Sequence, residues 1–356
     1  MIACRAPGSD ALLCNKNTPK SMGAGIFLAV GGCMPLFGRV NCFVAWVPAT
    51  IFEDVKVRCP CAPHTNKVEN KKGKAVNRRE FMMTAGIAAA AGTLFGAAQS
   101  AHAGEFTGKI KKAVKYGMIG EGKTPLDKLT LLKDLGYDGV EPNFGEVDMA
   151  ELAKASESTG LPVHGVVKGW SFDDINTCID QAKEIGASSV LIVAGKVDEN
   201  MPYERNYIET QEKMKRAGEH AAKREIHLLV ENVWNNFLLS PLEKARYIDE
   251  IDNPWVGSYF DVGNVARYGW PEHWIPVLGK RIVKLDIKEY STKIMNDEGL
   301  WKGFKVEIGE GTINWAAVRR ELAAIEYAGW ATAEVGGGDR KRLADIAARM
   351  DNVLDL

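Results

Sequence analysis

Cysteine almost vanishes from this chain after residue 61. Cys4, Cys14, Cys33, Cys42, Cys59 and Cys61 precede that point and only Cys178 follows. The later chain can therefore form no internal disulfide and must stand on its core. A dominant charge is missing too: 45 Lys and Arg against 46 Asp and Glu leave a formal net charge of -1. That balance supplies no basic footprint for nucleic acid and no cationic face for a membrane surface. Nor is there a clean run of about 20 apolar residues able to span a bilayer. The nearest approach, residues 22–52, is interrupted by Gly31-Gly32, Pro35, Arg39 and Asn41 and shows no clean periodicity. The 356 residues, 46% hydrophobic and 26% charged, are ordinary for a soluble protein and long enough for one large α/β domain plus an appendage.

The appendage is N-terminal. Residues 77–103 read NRREFMMTAGIAAAAGTLFGAAQSAHA. Arg78 and Arg79 are followed by Phe81, a weakly apolar Ala/Gly stretch, and Ala101-His102-Ala103 as a small-x-small cleavage site. This resembles a twin-arginine translocation signal. The ordinary alternative is a buried Ala-rich helix, but the order of charged start, apolar middle and cleavage site favours the signal. The expectation is a signal region over 76–103 and export to the periplasm or medium. Residues 1–75 are expected to be an unstructured extension outside the natural product, with translation starting at Val76. No stable membrane insertion is expected of the mature domain, 104–356.

From Ala113 onward short apolar runs alternate with longer amphipathic ones. Strands are predicted at 113–119, 137–142, 162–167, 188–194, 226–232, 256–262, 281–288 and 330–335. Helices are predicted at 125–135, 148–158, 173–185, 205–224, 241–250, 272–279, 315–327 and 339–353. Gly136 and Gly160 stand where helices should stop. Strict β/α alternation argues for a parallel sheet covered by helices. Eight units in about 250 residues match a (β/α)8 TIM barrel. A doubly wound open sheet is the alternative, and it places its site at one switch point rather than on successive strands.

Four of the predicted strands end in a carboxylate: Glu231 in LLVEN, Asp261 in SYFDVGN, Asp286 in IVKLDIKEY and Glu334 in ATAEVGGG. Singly, Asp261 or Asp286 reads best as a solvated charge or a helix-capping acid. Together, at the same end of consecutive strands 5 to 8, the four converge on one barrel rim. Packed carboxylates repel one another unless a cation neutralises them, and a divalent metal is the simplest solution. Alternation in 281–288 supports an inward set: Val283, Leu285 and Ile287 face one way, and Lys284, Asp286 and Lys288 the other.

These motifs, with FDVGN at 260–264 and IGEGTINW at 308–315, resemble the xylose-isomerase-like TIM barrels across residues 113 to 350. That superfamily holds sugar isomerases and epimerases as well as endonuclease IV repair enzymes. The similarity points to the branch of L-ribulose- and L-xylulose-5-phosphate 3-epimerases and hexulose-6-phosphate isomerases. The resemblance implies a divalent ion held by Glu, Asp, His and Glu, of which Glu231, Asp261 and Glu334 match three. Asp286 stands where the family has His. An all-oxygen set favours Mg²⁺ or Mn²⁺, with Co²⁺ or Zn²⁺ as the softer alternatives. The implied reaction is proton abstraction beside a carbonyl through an enediolate, with Glu231 and Glu334 as base and acid. A hydrolase or lyase on a keto-sugar or glycoside is the alternative, and a carbohydrate-binding scaffold without catalysis a third reading. A repair role is disfavoured, because His164, His220, His227 and His273 are too few for a histidine-rich metal cluster.

Further sugar contacts are expected from Glu141, His164, Lys168, Asn264, Lys288 and Glu310, each with an ordinary competitor. His164 also reads as a core histidine, Lys168 as a loop residue covering the barrel, and Glu310 as part of a Gly-Glu-Gly turn. Gly336-Gly337-Gly338 before the last helix could cradle a phosphate or serve as a plain loop. An export signal points away from phosphate, towards a free sugar, keto-sugar or glycoside. The expected partner is a small carbohydrate, and a homo-oligomer is compatible with the sequence.

Overall fold

The computed structural model describes residues 104–356. The expected signal over 76–103 and the extension 1–75 lie outside the described residues. In chain order the elements are β1 (Ile110–Lys115), α1 (Pro125–Asp134), β2 (Gly139–Glu141), α2 (Met149–Thr159), β3 (Val166–Gly169), α3 (Ile175–Glu184), β4 (Ser189–Ile192) and α4 (Tyr203–Arg224). They continue with β5 (His227–Glu231), α5 (Pro241–Asp249), β6 (Val256–Asp261), α6 (Val262–Val265), α7 (Pro271–Leu278), β7 (Ile282–Ile287), α8 (Thr292–Glu298), α9 (Trp315–Ala324), β8 (Gly329–Ala333) and α10 (Arg340–Leu354).

The strands form one sheet in the order β2-β1-β8-β7-β6-β5-β4-β3, all neighbours parallel. Between β2 and β3 the ladder shrinks to the parallel bridges Val140–Val163 and Asn143–Val167. The Val140 N–H donates to Pro162 O (3.1 Å) and the Val167 N–H to Pro142 O (2.9 Å). These bonds close the sheet into a (β/α)8 barrel. The third strand differs from the predicted 162–167: Val163 makes only an isolated bridge to β2, and the continuous ladder with β4 runs over Val166–Gly169.

Local chemistry sets the helix boundaries. Thr124 and Asp127 form a reciprocal capping box with Pro125 at the first helical position of α1. Ser240 caps α5 and Asp339 caps α10. Gly136 and Gly160, at φ 76° and 67°, turn the chain after α1 and α2 through a conformation that a Cβ would strain. Two helices were not foreseen. One is α6, a single turn capped by Asp261, and the other is α8, which lies in the long segment between β7 and α9.

The barrel separates two kinds of packing. Leu285 and Ile287 point outward into an apolar layer shared with Val262, Ile275, Val318 and Leu343, each fully buried aliphatic chain contributing roughly 1.5–3 kcal/mol. Lys284 and Asp286 point inward. Val283 departs from the predicted alternation. The β6–β7 register shifts between Ser258 and Tyr259, and this irregularity turns Val283 inward against the small Leu191–Leu229–Tyr259 cluster.

Candidate active site at the C-terminal rim

Glu231 and Asp261 are the last residues of β5 and β6, Asp286 lies one before the end of β7, and Glu334 directly follows β8. The Glu334 N–H donates to Ile287 O (3.0 Å), so β8 is still in register with β7 at that point. Parallel strands end together, and the barrel thereby gathers four side chains separated by up to a hundred residues of sequence. One oxygen from each lies within 4.8 Å of all the others.

Lys288, just past β7, spans the cluster. Its Nζ lies 2.8 Å from Asp261 Oδ2 and 2.6 Å from Glu334 Oε2. A Cβ at Gly263 would overlap the Lys288 stem, so the glycine of FDVGN clears the path of this lysine. Asp261 also does the ordinary work foreseen for it alone: Oδ1 accepts the Asn264 N–H (2.8 Å) and caps α6. Asn264 Nδ2 donates to Asp261 Oδ2 (2.7 Å) and the Asn232 carbonyl (3.0 Å). Asn232 itself is fixed by the buried Lys244 ammonium at 2.9 Å.

The charges are not equivalent. Burial, then repulsion from Glu334, Asp286 and Asp261, pushes the Glu231 carboxyl well above its ordinary range. Burial likewise raises Asp286, against the pull of Lys115, and raises Asp261, against that of Lys288. Burial also disfavours the Glu334 anion, but Lys288 and then Lys115 outweigh it and hold that carboxyl below its ordinary value. Glu334 is also the most open of the four, with 42% of its side chain exposed. The two rim glutamates thus sit in unlike surroundings, Glu231 raised by burial and its carboxylate neighbours and Glu334 lowered by two nearby ammoniums.

Beneath the rim lies a second polar layer, fully inside the barrel. Lys115 at the end of β1 pairs with Glu141 Oε2 (2.6 Å) and with Asp286 (2.9 Å to Oδ1). The Tyr259 hydroxyl donates to Glu141 Oε2 (2.9 Å) and meets Thr332 Oγ1 (2.9 Å), which meets His164 Nε2 (3.1 Å). His164 Nδ1 lies 3.0 Å from Lys284 Nζ, and the ring stacks on Trp330 with centroids 4.4 Å apart. Burial, then Lys284 and Lys115, hold the imidazole well below its ordinary pKa, hence neutral. Gly165 makes room here, since a Cβ would overlap Glu141 Oε1.

A cavity of about 660 Å³ opens above the rim. Glu231, Glu334, Lys288 and Asn264 reach it, whereas Glu141, His164, Lys168 and Glu310 are not among its lining residues. Glu141 and His164 belong to the buried layer below. Lys168 rests its ammonium 5.0 Å from the Phe144 ring centroid. Glu310 pairs with Arg349 (2.8 Å) with 60% of its side chain exposed. His164 fits the core reading and Glu310 the turn reading, while Lys168 lies within β3 and not in a loop. Arg342, beside the glycine loop, spends Nη1 on Glu307 (2.6 Å) and Asp345 (3.2 Å) and Nε on Gly336 O (3.0 Å), so two carboxylates already balance its charge.

Sequence reasoning missed Lys115 and the cavity's aromatic wall of Trp234, Trp301 and Phe304. Lys115 carried little signal, because β1 reads IKKAVK, with two further lysines before it. The aromatic residues sit in loops, where no periodicity marks them.

A divalent ion fits the donor set. The oxygens are hard, and their mutual spacing suits a cation bound at about 2.0–2.6 Å. Counting Glu141, five carboxylates face two ammoniums, Lys115 and Lys288, so negative charge is left over if all ionise. Asp286 Oδ1 and Glu334 Oε2 are buried without a well-directed hydrogen bond, although Lys115 and Lys288 lie within ion-pair distance. Such oxygens can accept a further cation.

A closed (β/α)8 barrel with an acidic C-terminal rim below an open cavity defines a class of protein before any comparison. The chain belongs to the xylose isomerase-like TIM barrel family, whose profile matches residues 129–353. No curated protein sequence matches it. Among solved structures it is similar to an L-ribulose 3-epimerase, with a TM-score of 0.58 and 16% identity over 69% of this chain and 95% of that one. It is also similar to a 3-keto-D-glucoside 4-epimerase from E. coli (0.58, 15%, over 70% and 99%). A D-allulose 3-epimerase from Methylomonas sp., in complex with D-allulose, gives 0.57 and 17% over 68% and 96%. At these identities the likeness is one of fold.

Proposed function

We propose that this protein is a divalent-metal-dependent sugar isomerase or epimerase that moves a proton beside a carbonyl through an enediolate. The observation that carries the reading is the cluster of Glu231, Asp261, Asp286 and Glu334 at one rim, with one oxygen from each within 4.8 Å of all the others, facing a cavity large enough for a sugar. The family and the epimerases that share its fold support it. Glu231, Asp261, Asp286 and Glu334 would hold the ion, and it would supply positive charge beside the reacting oxygens.

The chain's own residues do the rest. Glu334, ionised, takes the proton from the carbon beside the carbonyl, and the C–H electron pair moves to give the enediolate. Glu231, protonated, returns a proton to carbon. Return to the opposite face of the same carbon inverts it; return to the neighbouring carbon, with that carbon's hydroxyl proton passing to the former carbonyl oxygen, moves the carbonyl. Lys288 loses one of its two ion-pair partners when Glu334 is protonated, keeps Asp261, and can donate to the developing oxyanion, a charge-assisted hydrogen bond that grows only as the reaction proceeds. Asn264 orients Asp261, and exchange with water resets the glutamates. The sequence signal supports export by the twin-arginine route, and the engaged Arg342 agrees with an unphosphorylated substrate.

The test incubates the protein with Mn²⁺ or Mg²⁺ in D₂O with free ketoses, aldoses, keto-glycosides and sugar phosphates, followed by NMR. Deuterium uptake beside a carbonyl, lost on chelation, is the expected result. Uptake by none of the panel overturns the reading, and release of an aglycone or water moves it to a hydrolase or lyase. Metal titration by calorimetry gives an independent readout: Asp286→Ala weakens Mn²⁺ binding if the ligand set is right.

A further inference from the structure

The cavity above the rim has two unlike walls. One is the charged floor of Glu231, Glu334, Lys288 and Asn264, and the other is apolar and aromatic. Val167, Leu191 and Val193 come from the β3 and β4 side, and Trp170 from the loop after β3. Trp234 and the Trp301–Phe304 pair come from the loops after β5 and β7. Trp234 is braced by its neighbours, with ring centroids 4.7 Å from Trp301, 4.8 Å from Phe304 and 5.6 Å from Tyr290. The Arg267 guanidinium lies 4.9 Å from the Trp234 ring, and the indole N–H donates to Asn264 O (2.8 Å). Trp234 is thus tied both to the aromatic wall and to the residue that orients Asp261. Trp170 and Trp301, by contrast, are 57% and 69% exposed.

Large aromatic surface left to solvent is costly, and at the edge of a polar site it has a use. A free monosaccharide is satisfied by the charged floor and leaves this wall bare. The volume of about 660 Å³ sits within the roughly 300–1,000 Å³ of pockets that enclose drug-sized ligands. Pyranose and aryl rings alike present an apolar face that stacks on indole.

We propose that the natural substrate is a glycoside. Its carbonyl-bearing ring lies at Glu231 and Glu334, and its second ring, an aglycone or another sugar, stacks on Trp170 and Trp301. This substrate class rests on the isomerase or epimerase reading above, but the aromatic subsite can be measured without turnover.

The experiment titrates the full chain, by calorimetry and tryptophan fluorescence, with glycosides that carry no carbonyl and so do not react. Methyl and phenyl glucosides, galactosides and xylosides are compared in pairs, with a disaccharide of each sugar alongside. In at least one series the ligand with a second ring binds at least tenfold more tightly than its methyl partner. In Trp301→Ala or Trp170→Ala that ratio collapses to near one. A disaccharide that outbinds the phenyl glycoside assigns the second ring to a sugar, and the reverse assigns it to an aryl group. Ratios near one in every series, ratios unchanged in both variants, or no binding of any glycoside each overturn the proposal. The two readings fail separately. Exchange of free ketoses without a second-ring preference sinks the glycoside subsite alone, and the preference without any exchange sinks the reaction alone.

Discussion

Lys284 and Lys288 stand four residues apart on one strand and its extension, and both project into the barrel. Burial holds the Lys284 ammonium down to about 7, where its near neighbours are the His164 ring and carbonyl. Lys288 is pushed well above its ordinary value, because Asp261 and Glu334 lie within 3 Å and outweigh its burial. The same contrast separates the glutamates. Glu141 is sealed in the lower layer between Lys115 and Tyr259, whereas Glu334 faces the cavity. The two layers use the same residue types, and access to solvent divides their work. The sealed layer contributes to folding, and the rim has groups free to exchange protons.

The largest expected effect tests that division at the rim. Glu231→Gln and Glu334→Gln should each slow deuterium exchange by about 10²–10⁴-fold, with the melting temperature little changed. A comparable loss from a Lys284 substitution would erase the distinction. In the lower layer the loss should appear as stability. Lys115→Met strands Glu141 and Asp286 in the interior and should cost about 3–5 kcal/mol in denaturant unfolding. Little change there would mean that the lower layer is wetter than its burial indicates.

A finer test is the pH dependence of folding. Between about 7, the folded value of Lys284, and its ordinary 10.5, the unfolded chain binds a proton that the folded chain does not. Stability therefore rises with pH across that window, by up to about 1.4 kcal/mol per unit from this group. Lys284→Met should flatten the slope measured from pH 7.5 to 9.5. Lys244, lowered by burial to about the same value, keeps a residual slope in the variant. The smallest effect belongs outside both layers: Glu310→Ala removes an exposed pair with Arg349 and should change stability by less than about 1 kcal/mol and exchange not at all. A large drop in exchange would return Glu310 to the site.

The barrel was legible because its signals are periodic. Apolar runs of strand length, amphipathic runs of helix length and the glycines between them gave eight units, and strand-end carboxylates gave the rim. Strand 3 was predicted as one run over 162–167, whereas only Val163 bridges to β2 there and the continuous ladder with β4 begins at Val166. The six expected sugar contacts divide by the same logic. Asn264 and Lys288 adjoin the acidic residues in sequence and share their rim. Glu141 ends β2 and His164 lies just before β3, but how deep each lies depends on barrel stagger, which no single strand encodes.

Sequence alone determined the eight strands and the eight helices that alternate with them, though not α6 or α8, and the end of each strand that carries the carboxylates. These are local properties, written in spacing and residue type. Only the tertiary structure decided that Lys115, from the first strand, pairs with Asp286 from the seventh, and that Lys288 lies between Asp261 and Glu334. It also decided that Trp170, Trp234 and Trp301, scattered through three loops, line one cavity. Closing a barrel brings distant strands into contact, and the charge each group carries then follows from neighbours that sequence order does not reveal.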